Sequence, residues 1–303
     1  MSLFAAILTA CAVRHQPALA DGGWPDPALY PFEAHWLDVD GGRMHYVDEG
    51  EGPVVVLVHG TPSWSFEWRA LVRDLARDHR VIAPDHVGFG LSEKPEDWAY
   101  TPAAHAANLG RLLDHLAVGD VTLVVHDLGG PIGLGWALDH PDRVARVVVM
   151  NTSMWRFEAD AERFSRVVAG PIGKYLYLQR NFSPRRIVPM AMAVKPSPDV
   201  HRHYYEAFPT PETRMGPWRI GCELAGSAAW FDGLWARRAA LADKPALIVW
   251  GMADPAFKPH LLSRWQELWP SAPVVKLDGV GHFPQEEAPD RVSSEIGAWL
   301  RGE

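Results

Sequence analysis

The stretch Val124-Val125-His126-Asp127-Leu128-Gly129-Gly130-Pro131 joins a β-branched run to a Gly-rich helix start around one reactive side chain. That is the pattern of a nucleophile elbow, a strained strand-to-helix turn that lifts its central residue over the sheet. Gly129 and Gly130 suit a crossing of strand and helix too close for side chains. The central residue is Asp127 where such elbows usually carry Ser, and Val125 stands where the usual pattern has Gly. A carboxylate can displace a leaving group from saturated carbon and form an ester that water then hydrolyses, whereas Ser suits acyl transfer. Alone, Asp127 reads equally well as a helix N-cap.

Three other segments tip that balance. His59-Gly60-Thr61-Pro62 follows a buried strand where an oxyanion loop belongs. Asp254 closes Trp250-Gly251-Met252-Ala253-Asp254 after a later strand, and His282 lies in Gly279-Val280-Gly281-His282-Phe283 after the next. Singly, Asp254 reads as a turn residue and His282 as a satisfied loop histidine. Nucleophile, acid and histidine in that chain order, all at strand ends, point to a triad, because reactive groups gather at the carboxyl edge of such sheets. The backbone N–H groups of Thr61 and Leu128 would face the developing oxyanion.

The elements needed to position these residues follow from periodicity. Gly41-Gly42 between His35–Asp40 and Arg43–Asp48 predicts a hairpin. Strands are expected over Val54–Val58, Arg80–Pro84, Val121–Val125, Val144–Met150, Ala246–Trp250 and Val274–Leu277, the first and third of them buried on both faces. Helices are expected over Phe66–Arg77, Pro102–Leu116, Gly130–Asp139, Lys258–Leu268 and Asp290–Leu300. Strands alternating with crossover helices give an α/β fold, here an eight-stranded, mostly parallel sheet. The rhythm breaks over 153–238, where short amphipathic pieces rich in Trp, Tyr, Arg and Pro predict an inserted helical cap. The expected organisation is an N-terminal arm over 1–33, a core over 34–152 and 239–303, and the cap between them.

Composition excludes several function classes. The chain has 303 residues, 48% hydrophobic and 22% charged, enough for a large core rather than disorder. A formal charge of −8 repels phosphate backbones, so nucleic acid is not an expected partner. Cys11 and Cys222 do not make a disulfide framework. The 14 Trp and 26 Pro fit an enzyme with an apolar pocket, whose partners would be a small apolar organic substrate and water. No metal cluster, P-loop or dinucleotide fingerprint is present: Gly88-Phe89-Gly90-Leu91-Ser92 lacks the third glycine, and no cofactor is expected. Leu3–Val13 is far short of the roughly 20 residues of a membrane span. Leu8-Thr9-Ala10-Cys11 resembles a lipoprotein cleavage box, but no Lys or Arg precedes the apolar run, so a cytoplasmic monomer or homodimer is expected over an exported protein.

From Trp36 onward the chain resembles α/β-hydrolases of the haloalkane dehalogenase and epoxide hydrolase branch. Besides the triad, the resemblance rests on Met44-His45-Tyr46-Val47-Asp48-Glu49-Gly50, Ser63-Trp64-Ser65-Phe66-Glu67-Trp68-Arg69 and Pro84-Asp85-His86-Val87-Gly88-Phe89-Gly90-Leu91-Ser92. It implies Asp127 as nucleophile, His282 as the base that activates water, Asp254 as the group that orients it, and halide as the leaving group. The chain departs from the resemblance at the halide site. Haloalkane dehalogenases have a Trp after the nucleophile and, in much of the family, an Asn two positions after the loop histidine; here those positions are Leu128 and Thr61. Losing one donor to a developing charge costs on the order of 3 kcal/mol.

Trp155, Gln179, Asn181 and Trp230 in the cap are candidate replacement donors, although Trp in such a segment is more often packing. Tyr175, Tyr177, Tyr204 and Tyr205 bear on a rival reading, because epoxide hydrolases use cap tyrosines to protonate the departing oxygen. Thr61-Pro62-Ser63-Trp64 resembles the dehalogenase loop more than that of epoxide hydrolases. Three functions stay open at this point: a dehalogenase-like hydrolase, a hydrolase of epoxides or another activated electrophile such as a β-lactone, and a non-catalytic relative that binds a small ligand.

Overall fold

The computed structural model describes residues 24–303. Leu3–Val13 and Cys11 lie outside the described residues. In chain order the elements are β1 (His35–Val39), β2 (Gly42–Glu49), β3 (Val54–Val58), α1 (Arg69–Leu75), β4 (Arg80–Pro84), α2 (Pro102–His115), β5 (Val121–Asp127), α3 (Gly129–Asp139) and β6 (Val144–Thr152). Six helices follow: α4 (Ala159–Ala169), α5 (Pro171–Arg180), α6 (Val188–Ala191), α7 (Pro198–Glu206), α8 (Met215–Gly226) and α9 (Ala228–Ala236). The chain then returns through β7 (Ala246–Gly251), α10 (Leu262–Leu268), β8 (Val274–Leu277), α11 (Pro284–Glu287) and α12 (Pro289–Arg301).

The eight strands form one sheet in the order β1-β2-β4-β3-β5-β6-β7-β8. The β1/β2 and β2/β4 pairs are antiparallel and all later pairs are parallel. Val55–Val58 and Val121 with Leu123–Val125 are fully buried, as strands covered by helices on both faces must be. Between β6 and β7 the described residues hold helices only, which accounts for the missing β-branched runs there. The helix expected over Phe66–Arg77 is split, with a 3₁₀ turn at Ser65–Trp68 before α1.

Two of the attachments that hold this helical segment over the sheet contrast in their exposure to water. At one end the α7 residue Tyr204 donates to Glu286 Oε2 at 2.7 Å, and Glu286 also takes a bidentate bond from Arg69 at 2.6 and 2.5 Å. There too the Trp64 indole N–H donates to the His203 carbonyl at 3.1 Å, and the Phe66 ring stacks on His203. At the other end Lys258 and His260 pair with Asp160 and Glu158 at 3.1 and 2.7 Å, and all four side chains are exposed. No helix among the described residues is long and apolar enough to cross a membrane.

Candidate active site

The site is built from the carboxyl ends of β3, β5, β6, β7 and β8. Asp127 ends β5 with φ at +49°, a left-handed conformation rarely adopted by an L residue outside glycine. Its surroundings enforce that strain. Thr152 Oγ1 donates to the Asp127 carbonyl at 2.5 Å, and Gly60 and Gly129 leave space that a side chain would fill. A Cβ on Gly60 would strike the Asp127 carboxylate, and one on Gly129 would strike the Val58 carbonyl. The Asp127 side chain does not act as an N-cap deeper in α3. Its Oδ2 accepts from the Thr61 N–H at 2.8 Å, and the neighbouring Leu128 N–H adds to the lowering of its pKa.

His282 Nε2 lies 3.5 Å from Asp127 Oδ1, and its Nδ1 donates to Asp254 Oδ2 at 2.8 Å. The ring is sandwiched by packing, parallel to Phe257 at 5.5 Å and edge-on to Phe283. Asp254 is fixed in turn: Oδ1 accepts from the N–H groups of Ala256 at 2.7 Å and Phe257 at 3.1 Å, and Oδ2 accepts from Asn151 Nδ2 at 2.8 Å. Asn151, near the end of β6 with φ at +36°, also receives the Gly251 N–H on Oδ1 at 2.7 Å.

Electrostatics follow from this geometry. Burial pulls the His282 imidazole down, but the Asp254 charge and the bonds to Asp127 and Asp254 outweigh it and hold its pKa well above the usual imidazole value. Burial raises the Asp127 carboxyl, and the bond and charge of His282 more than reverse this, leaving it below the usual carboxylate range. Asp254 is likewise lowered, by the His282 charge and by its own hydrogen bonds acting against burial. Two carboxylates thus flank the His282 ring and favour its charged form.

A cavity of about 340 Å³ opens over Asp127 and His282. Thr61, Leu128, Ser153, Trp155, Phe257 and the α4 residue Phe164 are among its lining. Among the described residues no group of three or more potential metal ligands is found.

A family model described as the alpha/beta hydrolase fold matches residues 53–289. The chain is 40% identical to haloalkane dehalogenase 2 of Mycobacterium tuberculosis, over 90% of this chain and 96% of the relative. It is 35% identical to the cis-3-alkyl-4-alkyloxetan-2-one decarboxylase of Shewanella oneidensis, over 88% of each. A crystal structure of a loop variant of the haloalkane dehalogenase DbeA from Bradyrhizobium elkanii superposes with a TM-score of 0.81 at 27% identity, covering 89% of this chain and 97% of that one. The chain belongs to the α/β-hydrolase family, in its haloalkane dehalogenase branch. It is a hydrolase of the haloalkane dehalogenase type, which sets aside the non-catalytic ligand binder.

For a member of this branch, most of the cap donors expected from sequence need correction. Only Trp155 and Tyr177 of those candidates line the cavity. Gln179 is exposed on α5. Asn181 adopts φ of +50° as the C-cap of α5 and gives its Nδ2 to the carbonyls of Tyr205 and Phe208, so it serves the chain turn. Tyr204 is spent on Glu286, and burial together with that carboxylate drives its phenol well above its usual range. Tyr205 lies under the Arg185 guanidinium at 4.0 Å. Tyr175 is exposed, and Trp230 packs against Gly135 of α3.

Sequence reasoning also missed residues. Asn151 had a signal, a polar residue at the end of a buried strand. The fully buried pair Glu67 and His126 had little: His126 Nε2 donates to the His282 carbonyl at 2.7 Å while Nδ1 faces Glu67 Oε1 at 3.2 Å and Gln285 Nε2 at 3.0 Å.

Proposed function

We propose that this chain hydrolyses a small apolar haloalkane through an ester on Asp127, with His282 as the base of the second step and Asp254 as the group that orients it. One observation carries this reading: the elbow bears a cavity-lining carboxylate whose Oδ2 is anchored by the Thr61 N–H while Oδ1 lies beside His282 Nε2. Oδ1 attacks the carbon in line, the C–O bond forms, and halide departs with its electron pair. His282 Nε2 then takes a proton from water, the hydroxide adds to Cγ, and the charge collects on Oδ2 between the N–H groups of Thr61 and Leu128. Collapse breaks the bond between Cγ and Oδ1, which leaves as the alkoxide oxygen and takes the proton from His282; the carboxylic acid left on Asp127 then passes its own proton through His282 to water, and the carboxylate is restored.

The first step prepares the second. Alkylation removes the Asp127 charge, one of the causes that raise the His282 pKa, so the imidazole holds its proton less tightly in the ester than in the free enzyme. Ester hydrolysis should therefore accelerate as pH rises through the His282 pKa of the ester, and that midpoint should lie below the one titrated in the free enzyme. Single-turnover rates across pH, set against NMR titration of the resting imidazole, test this. Identical midpoints, or a rate that falls with pH in that interval, would refute it.

A second reading has its own support. Leu128 offers no side-chain donor to a halide, and the relative at 35% identity acts on an oxetan-2-one. A β-lactone carries its leaving carboxylate tethered to the carbon under attack, and ring strain lessens the need for a dedicated anion cradle. Bromoalkanes and cis-dialkyl oxetanones assayed side by side for halide and carbon dioxide release separate the two. Leu128→Trp sharpens the comparison: with the fold intact it should raise bromoalkane turnover by on the order of a hundredfold, since one donor at a developing charge is worth on the order of 3 kcal/mol. Unchanged halide release beside rapid oxetanone turnover in the parent would favour the lactone.

A further inference from the structure

The region from Arg163 to Lys195 contains seven Lys and Arg and no Asp or Glu, in a chain whose formal charge is −8. All seven are exposed. Arg166 pairs with Glu162, whereas Arg163, Arg180 and Arg186 meet no carboxylate among the described residues. The same region holds the large apolar side chains most open to water: Phe164, Val167, Ile172, Tyr175, Met190 and Val194, between 43% and 74% exposed. Phe164 and Val167, three apart, share the outer face of α4, and Ile172 and Tyr175 do the same on α5. Gly173 lets α5 pack closely against α4 at Val167 and Val168. Phe164 also lines the cavity, so the apolar surface runs to the substrate's entrance.

From this combination we infer that the α4–α6 face docks on an anionic lipid surface. Exposed apolar side chains interleaved with cations are what a bilayer interface accommodates, the former at the acyl boundary and the latter among the phosphates. A second copy of the chain is disfavoured as occupant, because a twofold interface would set the same cations against themselves. Docked this way, the cavity mouth meets the phase in which an apolar substrate is most concentrated. The docking itself does not depend on which electrophile the site consumes.

Co-sedimentation of the full chain with phosphatidylcholine vesicles, with and without phosphatidylglycerol, tests this. Binding is expected to the anionic vesicles, weakening as salt is added. Each cation removed should lower partitioning by about fivefold, so the Arg163→Gln/Arg180→Gln/Arg186→Gln variant should lose on the order of a hundredfold. Ile172→Ser/Met190→Ser should also weaken binding, while turnover of a water-soluble substrate without vesicles and the thermal midpoint stay those of the parent. Absence of vesicle binding, equal binding to neutral vesicles, or full binding by both variants would overturn the inference. So would a dimer in solution that Ile172→Ser dissociates, since the face would then be covered by a second copy.

Discussion

In the His282→Gln variant, a stoichiometric alkyl adduct on Asp127 is the expected product of incubation with substrate, with steady-state turnover down by on the order of 10⁴ or more. Glutamine nearly matches the imidazole in length and leaves Asp127 anchored by the Thr61 N–H, so displacement by Oδ1 proceeds. It is not a useful base, so the ester persists. Intact-protein mass spectrometry reads the adduct and peptide mapping locates it. An unmodified protein, or an adduct on another residue, would remove Asp127 from the nucleophile's role whatever the loss in turnover.

A related loss should come from Asp254→Asn, on the order of 10⁴ in kcat. The new amide oxygen can still accept the N–H groups of Ala256 and Phe257, so the loop holds. Its NH₂ would then face the donors Asn151 Nδ2 and His282 Nδ1, where Asp254 Oδ2 accepts both. His282 can relieve that conflict only by moving its proton to Nε2, the nitrogen that must take one from water. Ester formation survives and ester hydrolysis stops, so a burst of halide followed by a near-zero steady state is the signature. A fall of less than tenfold would mean that Asp254 neither orients His282 nor stabilises its charge.

The parts of this molecule legible in its sequence are those where a local pattern has one physical solution. Val54–Val58 and Val121–Val125 can be satisfied only inside a sheet covered on both faces, and the glycines after Asp127 only at a close crossing. The helical segment offered no such constraint. Tyr204 and Tyr177 are chemically alike and both lie on amphipathic helices, yet one faces Glu286, 82 positions away, and the other faces the cavity. By type and position Asn181 reads as a donor to substrate, because the sequence does not declare the left-handed turn that spends its amide on the chain. Glu67 and His126 meet across 59 positions, and neither partner is implied by the other's neighbours.

Two attachments of the helical segment differ in how readily they yield. Tyr204, Glu286 and Arg69 are largely shielded from water, and separating such a buried charged group from its partner costs about 3–5 kcal/mol. The Lys258–Asp160 and His260–Glu158 pairs beside the cavity stand in water, where such pairs contribute little and salt weakens them further. Glu158 and Asp160 are themselves part of the cavity wall. Of these two attachments the exposed pairs at the cavity wall are the cheaper to part, and an opening there would admit substrate and release product on that side. Its rate should respond to ionic strength even though the chemistry beneath is shielded from it.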